Sequence, residues 1–151
     1  MTDQPLHPIR VLVTGSRDWE QPQIIDDALL ETWHDISQVH GPERDWIIVH
    51  GGCYDGADKF AARWATTNRV LTEAHPADWN GSCTADCPSN HRRRRTNGKT
   101  YCPLAGPIRN QDMVDLGADL VLAFHRDGSR GTGDCVRRAQ QAGLTVRTFI
   151  S

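Results

Sequence analysis

The sequence has no long apolar segment. Its hydrophobic runs fall well short of the ~18 consecutive residues that a membrane-spanning helix needs. Its first ten residues, MTDQPLHPIR, lack the apolar core of a secretory signal peptide. A cytoplasmic protein without a membrane partner is therefore expected.

The sequence also lacks a large excess of positive or negative residues. The chain carries 17 Lys and Arg against 19 Asp and Glu, a formal net charge of −2. This balance argues against a protein that coats nucleic acid or an anionic membrane. The 151 residues, 38% of them hydrophobic, are enough to bury a core. One domain over residues 1–151 is predicted.

Cysteine is odd in number and unevenly placed. Of five cysteines, Cys83, Cys87 and Cys102 fall in one short segment. Reduced thiols are expected in the cytoplasm, and this clustering favours a local metal site over a disulfide framework.

Residues 79–105 lack apolar periodicity, and a long irregular loop of this kind is usually functional, disordered or stapled. Cys83, Cys87, His91 and Cys102 offer three thiolates and an imidazole, which suits a structural zinc ion in a closed tetrahedral site. A metal would offset the entropy lost on ordering a segment without a core. The alternative is a flexible loop with free cysteines. A closed site has no open position, so no catalytic part is assigned to the zinc.

Elsewhere, strand-like and helix-like segments alternate. Strands are predicted at 9–14, 46–50, 70–74, 120–124 and 144–150, and helices at 23–39, from 57, at 108–116 and from about 134. This order predicts an α/β three-layer sandwich, with a mainly parallel sheet of about five strands and a Cys/His-rich insert at residues 79–105.

Three polar loops with glycines lie at the predicted carboxyl ends of strands, at residues 14–17, 50–58 and 124–132. In open parallel sheets, ligands bind at this edge near a switch point of the strand order. The last loop precedes a helix N-terminus, where free N–H groups and the helix dipole favour an anion. A phosphate site is predicted there, and a plain glycine-rich turn is the alternative.

Several side chains near these loops suit a phosphorylated ligand. Arg17 and Arg109 can each grip two oxygens, or form surface salt bridges instead. Asp58 suits either ribose hydroxyls or the dipole of its own helix. Ser16 and Thr132 offer hydroxyl donors or simple caps.

Aromatic and basic residues leave further alternatives. Trp19 and Trp79 follow strand ends, where each either stacks on a base or is buried against a helix. Trp64 is assigned to the core. The run from Arg92 to Arg95 suits a polyphosphate or a nucleic-acid backbone, or is a solvated basic loop.

In combination these motifs resemble a known family. The matching segments are Val13-Thr14-Gly15-Ser16-Arg17, His50-Gly51-Gly52 with Gly56-Ala57-Asp58, Ala105-Gly106-Pro107-Ile108-Arg109-Asn110 leading to Met113, and Gly128-Ser129-Arg130-Gly131-Thr132. They are similar to the SLOG superfamily and, within it, to the bacterial and phage group of YspA-like, YpsA-related domains. The resemblance implies a Rossmann-like fold and a nucleotide or nucleotide-derived ligand. Its relatives include DprA, which binds single-stranded DNA, and the lonely-guy phosphoribohydrolases. It also implies a homodimer.

The comparison with the lonely-guy enzymes is incomplete. Their Pro-Gly-Gly-x-Gly-Thr-x-x-Glu motif is matched at Gly131 and Thr132, but its glutamate falls on Cys135, one residue after Asp134. Their catalytic arginine matches Arg109. Arg109 and Asp134 are therefore the candidate catalytic residues, and Asp55 or Asp58 is an alternative acid. Because one residue rotates a side chain by about 100° around a helix, the departure weakens the case for glycosidic hydrolysis.

Three functions follow. The first is binding of a nucleotide-derived small molecule by a sensor or processing domain; the alternatives are an N-glycosidic hydrolase and a nucleic-acid-binding protein that uses Arg92–Arg95. The residues assigned to the ligand are Gly15, Ser16, Arg17, Gly51, Gly52, Asp55, Asp58, Arg109, Asn110, Gly128, Ser129, Gly131 and Thr132.

Overall fold

The structure is a computed structural model that describes residues 7–85 and 87–151. Its elements in chain order are β1 (Ile9–Gly15), α1 (Pro22–His40), β2 (Trp46–His50), α2 (Ala57–Asn68), β3 (Leu71–Ala74), β4 (Arg93–Arg94), β5 (Thr100–Tyr101), α3 (Ala105–Asp115), β6 (Leu120–His125), α4 (Arg130–Gln141) and β7 (Val146–Ile150). None of these helices combines the length and the apolar character that crossing a bilayer requires.

Five strands form one sheet in the order β3-β2-β1-β6-β7, and every neighbouring pair is parallel. The predicted α/β Rossmann-like architecture is therefore confirmed. The order reverses between β1 and β6, so the loops after these two strands diverge and leave a crevice at the carboxyl edge of the sheet. β4 and β5 form a separate antiparallel hairpin inside the Cys/His-rich insert.

The apolar strands are buried on both faces, which explains their nearly continuous hydrophobic sequence. In β1, Val11 and Val13 belong to the core under α1 and α2, whereas Leu12 belongs to the core under α3 and α4. Successive side chains of a strand point to opposite faces, so a single strand supports both layers.

Tryptophan fills much of the first layer. Trp33, Trp46 and Trp64 form a cluster in which the centroid of Trp64 lies 5.8 Å from that of Trp33 and 5.9 Å from that of Trp46. The expected core position of Trp64 is confirmed. Trp19 is only 2% exposed and meets Phe124 edge-on, so it is a core residue and does not stack on a ligand.

Two helices begin earlier than the sequence predicts. α4 starts at Arg130, not near Asp134, which places Gly131 and Gly133 inside its first turn. Glycine disfavours helix by about 1 kcal/mol, which explains the late prediction. Burial of Thr132, Cys135 and Ala139 on one face outweighs that preference. α3 similarly starts at 105, not 108, with its proline in the first turn, where proline is tolerated.

Candidate functional site

A cleft of about 830 Å³ opens at the carboxyl edge of the sheet. It lies at the switch point between β1 and β6, and the α3 helix and the insert close its remaining sides. Its size is within the usual range of small-molecule sites.

The first turn of α4 faces this cleft. Gly128, Ser129, Arg130, Gly131 and Thr132 all line it. The first bond along the helix is donated by the Gly133 N–H to the Ser129 carbonyl, 3.2 Å away. The preceding amides of the turn are thus free of the helix ladder, as at any helix start. This end of the cleft is suited to an anion.

Two hydroxyls order this turn. The Ser129 and Thr132 side-chain oxygens lie 2.9 Å apart, and Thr132 is 2% exposed. Gly128 has a φ of 82°, in the left-handed region that glycine tolerates best. Both features favour this conformation of the loop.

Residues of the loop after β1 have two different roles: some line the cleft, and one joins this loop to another. Gly15 and Arg17 line the cleft, and the Arg17 guanidinium lies 5.6 Å from the centre of the Trp79 ring. Ser16 is 1% exposed and does not line the cleft. Its hydroxyl accepts a hydrogen bond from the Arg126 N–H at 2.9 Å, and thereby ties together the loops after β1 and β6.

The loop after β2 contributes fewer residues than expected. Gly51 lines the cleft, but Gly52 and the exposed Asp55 do not. The Gly52 N–H donates to His50 Nδ1 at 3.0 Å. Cys53, which the sequence reading missed, does line the cleft. Burial raises the pKa of the Cys53 thiol and the nearby Asp58 raises it further, while Arg17 and Arg109 offset this in part, so the thiolate form is disfavoured.

Asp58 lies on the cleft wall although it is only 6% exposed. Its Oδ2 accepts the Cys53 N–H at 3.3 Å. Removal from water raises the pKa of this carboxyl, and His50, the Cys53 N–H and Arg109 offset that effect only in part. Burial also disfavours the charged form of His50, and therefore lowers the pKa of this histidine. A buried acid with a shifted pKa at a cleft wall is typical of functional sites.

Arg109 is fixed by the main chain of two loops. Its Nη1 donates to the Gly51 carbonyl at 2.6 Å and to the His75 carbonyl at 3.1 Å, and its Nε donates to Asn110 Oδ1 at 3.0 Å. A Cβ on Gly51 would collide with the guanidinium, so a larger residue there would displace the end of the Arg109 side chain. Arg109 therefore lines the cleft in a pre-set position.

Asn110 continues this network to α4. Its Nδ2 donates to Asp134 Oδ2 at 3.0 Å and lies 3.3 Å from the Gly131 carbonyl. Partial burial raises the pKa of Asp134, but hydrogen bonds from Arg138 and Asn110 lower it more, and the net shift is downward. Asp134 lines the cleft as a carboxylate, whereas Cys135 is fully buried in the core.

The four predicted metal ligands meet in the insert. One ligand atom from each of Cys83, Cys87, His91 and Cys102 lies within 4.8 Å of the other three. The Sγ atoms of Cys87 and Cys102 are 3.7 Å apart, too far for a disulfide. His91 Nε2 lies 2.9 Å from Cys83 Sγ and 3.6 Å from Cys102 Sγ. These residues form a possible metal-binding site.

Neighbouring polar groups support the sulfurs. Arg92 Nη1 lies 3.6 Å from Cys83 Sγ and also donates to the Gly81 carbonyl at 2.7 Å. The Thr84 hydroxyl lies 3.6 Å from Cys87 Sγ. Outer contacts of this kind orient metal ligands and stabilise thiolate charge.

The arginine run is not one continuous basic face. Arg92 is tied to Gly81 and Thr100, and the Arg95 guanidinium lies 4.8 Å from the centre of the Tyr101 ring. Arg93 alone of the four lines the cleft. Arg130 and Arg137, two cations absent from the sequence prediction, line it as well, and only the position of α4 could have revealed them.

Comparison with known proteins agrees with this architecture. The sequence model of the YspA, cpYpsA-related SLOG family (YAcAr) matches residues 9–81. The Gene 61 protein of Mycobacterium phage D29 is 38% identical over 145 residues, which cover 93% of this chain and 95% of that protein. No solved structure matches the chain. The chain therefore belongs to the YspA, cpYpsA-related SLOG family.

Proposed function

We propose that the protein binds a nucleotide or a nucleotide-derived ligand in the cleft, with a phosphate group against the first turn of α4. The observation that carries this proposal is the opening of that turn into an 830 Å³ cleft at the strand-order switch point. Arg17 and Arg130 add positive charge around the same space. Membership of the SLOG family supports a ligand related to nucleotides.

The remaining polar groups suit the rest of such a ligand. Asp58 and Asn110 lie on the cleft wall, where a carboxylate and an amide can pair with ribose hydroxyls. Trp79 is half-buried and presents a ring on which a base can stack. These groups in one cleft support the proposed ligand class.

A thermal-shift screen of nucleotides and ADP-ribose derivatives, followed by calorimetry on the hits, tests the proposal. A ligand at 100 times its dissociation constant adds about 2.7 kcal/mol of stability. Absence of any shift across the screen would overturn the proposal.

Gly131→Asp provides a directed variant. Open space surrounds the position, so the new side chain fits, and a carboxylate suits a helix N-terminus. We expect a folded protein whose ligand affinity falls at least tenfold, because the carboxylate occupies the anion site. Gln21→Asp makes the same charge change at the start of α1, outside the cleft lining, and should bind normally.

We also propose that the metal held by the insert is zinc. Zn–S bonds of about 2.3 Å and Zn–N bonds of about 2.0 Å place two sulfurs about 3.8 Å apart and a sulfur and a nitrogen about 3.5 Å apart in a tetrahedron. The observed 3.7 Å between the sulfurs of Cys87 and Cys102 and 3.6 Å between Cys102 Sγ and His91 Nε2 agree with these separations. The 2.9 Å between Cys83 Sγ and His91 Nε2 is shorter and would lengthen when a metal is bound. Three thiolates and one imidazole favour zinc, and the ion would order the insert.

Elemental analysis of protein purified without chelator tests the metal proposal. One zinc per chain is expected, with loss in Cys87→Ser and retention in Cys53→Ser, which changes a cysteine outside the cluster. Less than about half an equivalent of zinc would contradict it.

A second function, hydrolysis of the N-glycosidic bond of a nucleoside 5′-monophosphate, is supported by one specific observation. Asp58 and Asp134 line the same cleft with pKa values shifted in opposite directions. Such a divergence suits an acid that protonates the leaving base and a carboxylate that stabilises the ribosyl cation or activates water. Water would add to the anomeric carbon as the C–N bond breaks, yielding free base and ribose 5-phosphate.

Release of free base from nucleoside monophosphates, measured by chromatography, tests this activity. Asp134→Asn and Arg109→Ala should each abolish it, whereas Gln21→Asp should not. Binding without any base release would leave the protein a ligand-binding domain.

A further inference from the structure

The insert forms one wall of the ligand cleft. His91, a member of the metal cluster, lines the cleft, and so do Pro88 and Pro103, the residues that follow Cys87 and Cys102. Arg93, two residues after His91, lines it as well. The chain thus passes from the metal cluster directly to the cleft surface at three places.

Of the two arginines in β4, only one lines that cleft. Arg93 and Arg94 are both exposed residues of β4, paired with Tyr101 and Thr100 of β5. Because neighbouring residues of a strand face opposite sides, a cleft on one side receives only one of them. Arg93 lines the cleft and Arg94 does not.

The metal cluster also connects to α3. The Cys102 N–H donates to the Trp79 carbonyl at 2.8 Å, and the Cys102 carbonyl accepts the Ala105 N–H at 3.1 Å at the start of α3. A Cβ on Gly106 would lie 2.8 Å from the Trp79 ring, so ring and helix are in close contact. Movement of Cys102 would therefore disturb both Trp79 and the helix that carries Arg109.

We propose that Arg93 contacts an anionic group of the ligand, and that a metal held by Cys83, Cys87, His91 and Cys102 keeps this arginine and the surrounding wall in place, so that ligand affinity depends on the metal. The proposal rests on the ligand-binding function proposed above. It adds a binding residue outside the glycine-rich loops and a dependence on metal. Without metal, the segment has few buried side chains to hold its shape, so the Arg93 wall opens.

Paired substitutions test the role of Arg93. With ADP-ribose and AMP as calorimetric probes, Arg93→Gln should weaken binding at least tenfold, and Arg94→Gln less than twofold. The two variants remove the same charge from adjacent exposed positions, so a general electrostatic effect predicts equal losses. Equal losses, or no loss in Arg93→Gln, would overturn the contact.

Metal removal tests the second part. The zinc-free protein, prepared with a chelator under reducing conditions and verified by elemental analysis, should bind the same probe at least tenfold more weakly and recover on addition of zinc. Amide hydrogen exchange should rise at residues 100–110 and remain unchanged in β1 and β6. Unchanged affinity in the zinc-free protein would overturn the metal dependence of binding, and unchanged exchange would overturn the role of the metal in holding this wall.

These outcomes separate the two proposals. If Gly131→Asp abolishes probe binding while Arg93→Gln and Arg94→Gln behave alike, the ligand site stands and the role of Arg93 falls. If the wild-type protein binds no probe, both fall as binding proposals, and the exchange measurement still decides whether metal holds this wall.

Discussion

At the scale of single residues, two acids of the cleft differ in their surroundings. Asp58 is 6% exposed and its pKa is raised by loss of water, whereas hydrogen bonds from Arg138 and Asn110 give Asp134 a lowered pKa. A protein does not gain stability by burying an ionised carboxyl that is poorly compensated. Burial of the Asp58 carboxylate therefore lowers the stability of the fold, and a contact with a ligand would explain why an acid is placed there.

Replacement of Asp58 tests that cost. Asp58→Asn keeps the shape and an oxygen that can accept the Cys53 N–H, so we expect a free energy of unfolding at about pH 8 that is unchanged or raised, and at least tenfold weaker nucleotide binding. Because the folded pKa lies above the usual 3.8, the wild-type penalty is complete above the folded pKa and disappears below 3.8. The stability difference should thus be largest at alkaline pH and vanish in acid. Lower stability of the variant at about pH 8, measured by denaturant unfolding, would contradict this account.

Glu73, in β3, shows the opposite relation between pKa and stability. Hydrogen bonds from Arg10, at 2.6 and 3.2 Å, and from His75, at 2.7 Å, lower the pKa of Glu73 to about 2. Its side chain is 33% exposed, so solvent screens the pair. We expect Glu73→Gln to cost about 1 kcal/mol at neutral pH.

The loss in Glu73→Gln should be complete above pH 4.5 and disappear as the pH falls to about 2. Between these two values the unfolded chain binds a proton that the folded carboxylate does not, so the stabilisation is lost progressively as the pH falls. Urea unfolding from pH 7 to pH 2.5 measures it. Glu31→Gln, at an exposed position of α1, is the control. A pH-independent difference would show that the effect comes from packing instead.

At the scale of elements, the start of α2 packs directly against the end of β1. A Cβ on Gly15 would collide with the Cβ of Ala57 and lie 3.0 Å from the Phe124 carbonyl oxygen. This close approach brings the loop after β2, and Asp58 at the start of α2, to the cleft. The glycine of the Thr-Gly-Ser-Arg motif therefore allows this close packing and also lines the cleft.

Gly15→Ala should destabilise the fold by about 1–3 kcal/mol through overpacking. Ala57→Gly in the same chain should restore part of that loss, because the main clash joins the two Cβ atoms. Gly131→Ala, a position with open space in a helix, should be neutral or stabilising by up to about 1 kcal/mol. Strictly additive effects of Gly15→Ala and Ala57→Gly in denaturant titrations would refute the proposed contact.

At the scale of the whole molecule, the sheet and the insert have different sources of stability. The sheet is covered by two hydrophobic layers, whereas the buried hydrophobic residues in the described part of 79–105 are only Cys102 and Ala105. When the metal is removed, the insert should therefore lose its ordered structure while the sheet and its helices stay folded.

Limited trypsin digestion measures this difference. Cleavage within Arg92–Arg95 should accelerate at least tenfold in zinc-free protein or in Cys87→Ser, while the thermal transition of the sheet persists. A global loss of structure, or cleavage at the same rate with and without zinc, would contradict the separation. The homodimer implied by the family resemblance stays a prediction.

The sheet, its strand positions and the four clustered ligands were readable from the chain because they depend on local patterns: apolar runs, helical periodicity and ligands within 20 residues. The cleft depended on contacts that join distant segments. The Ser16 hydroxyl holds an amide 110 positions away, which withdraws it from the ligand surface. Contacts between distant segments also bury Cys135 in the core and place Arg93 at the cleft. The direction of a side chain at such places is set by how helices and strands pack against one another. This packing leaves no periodic pattern in the sequence from which it could be predicted.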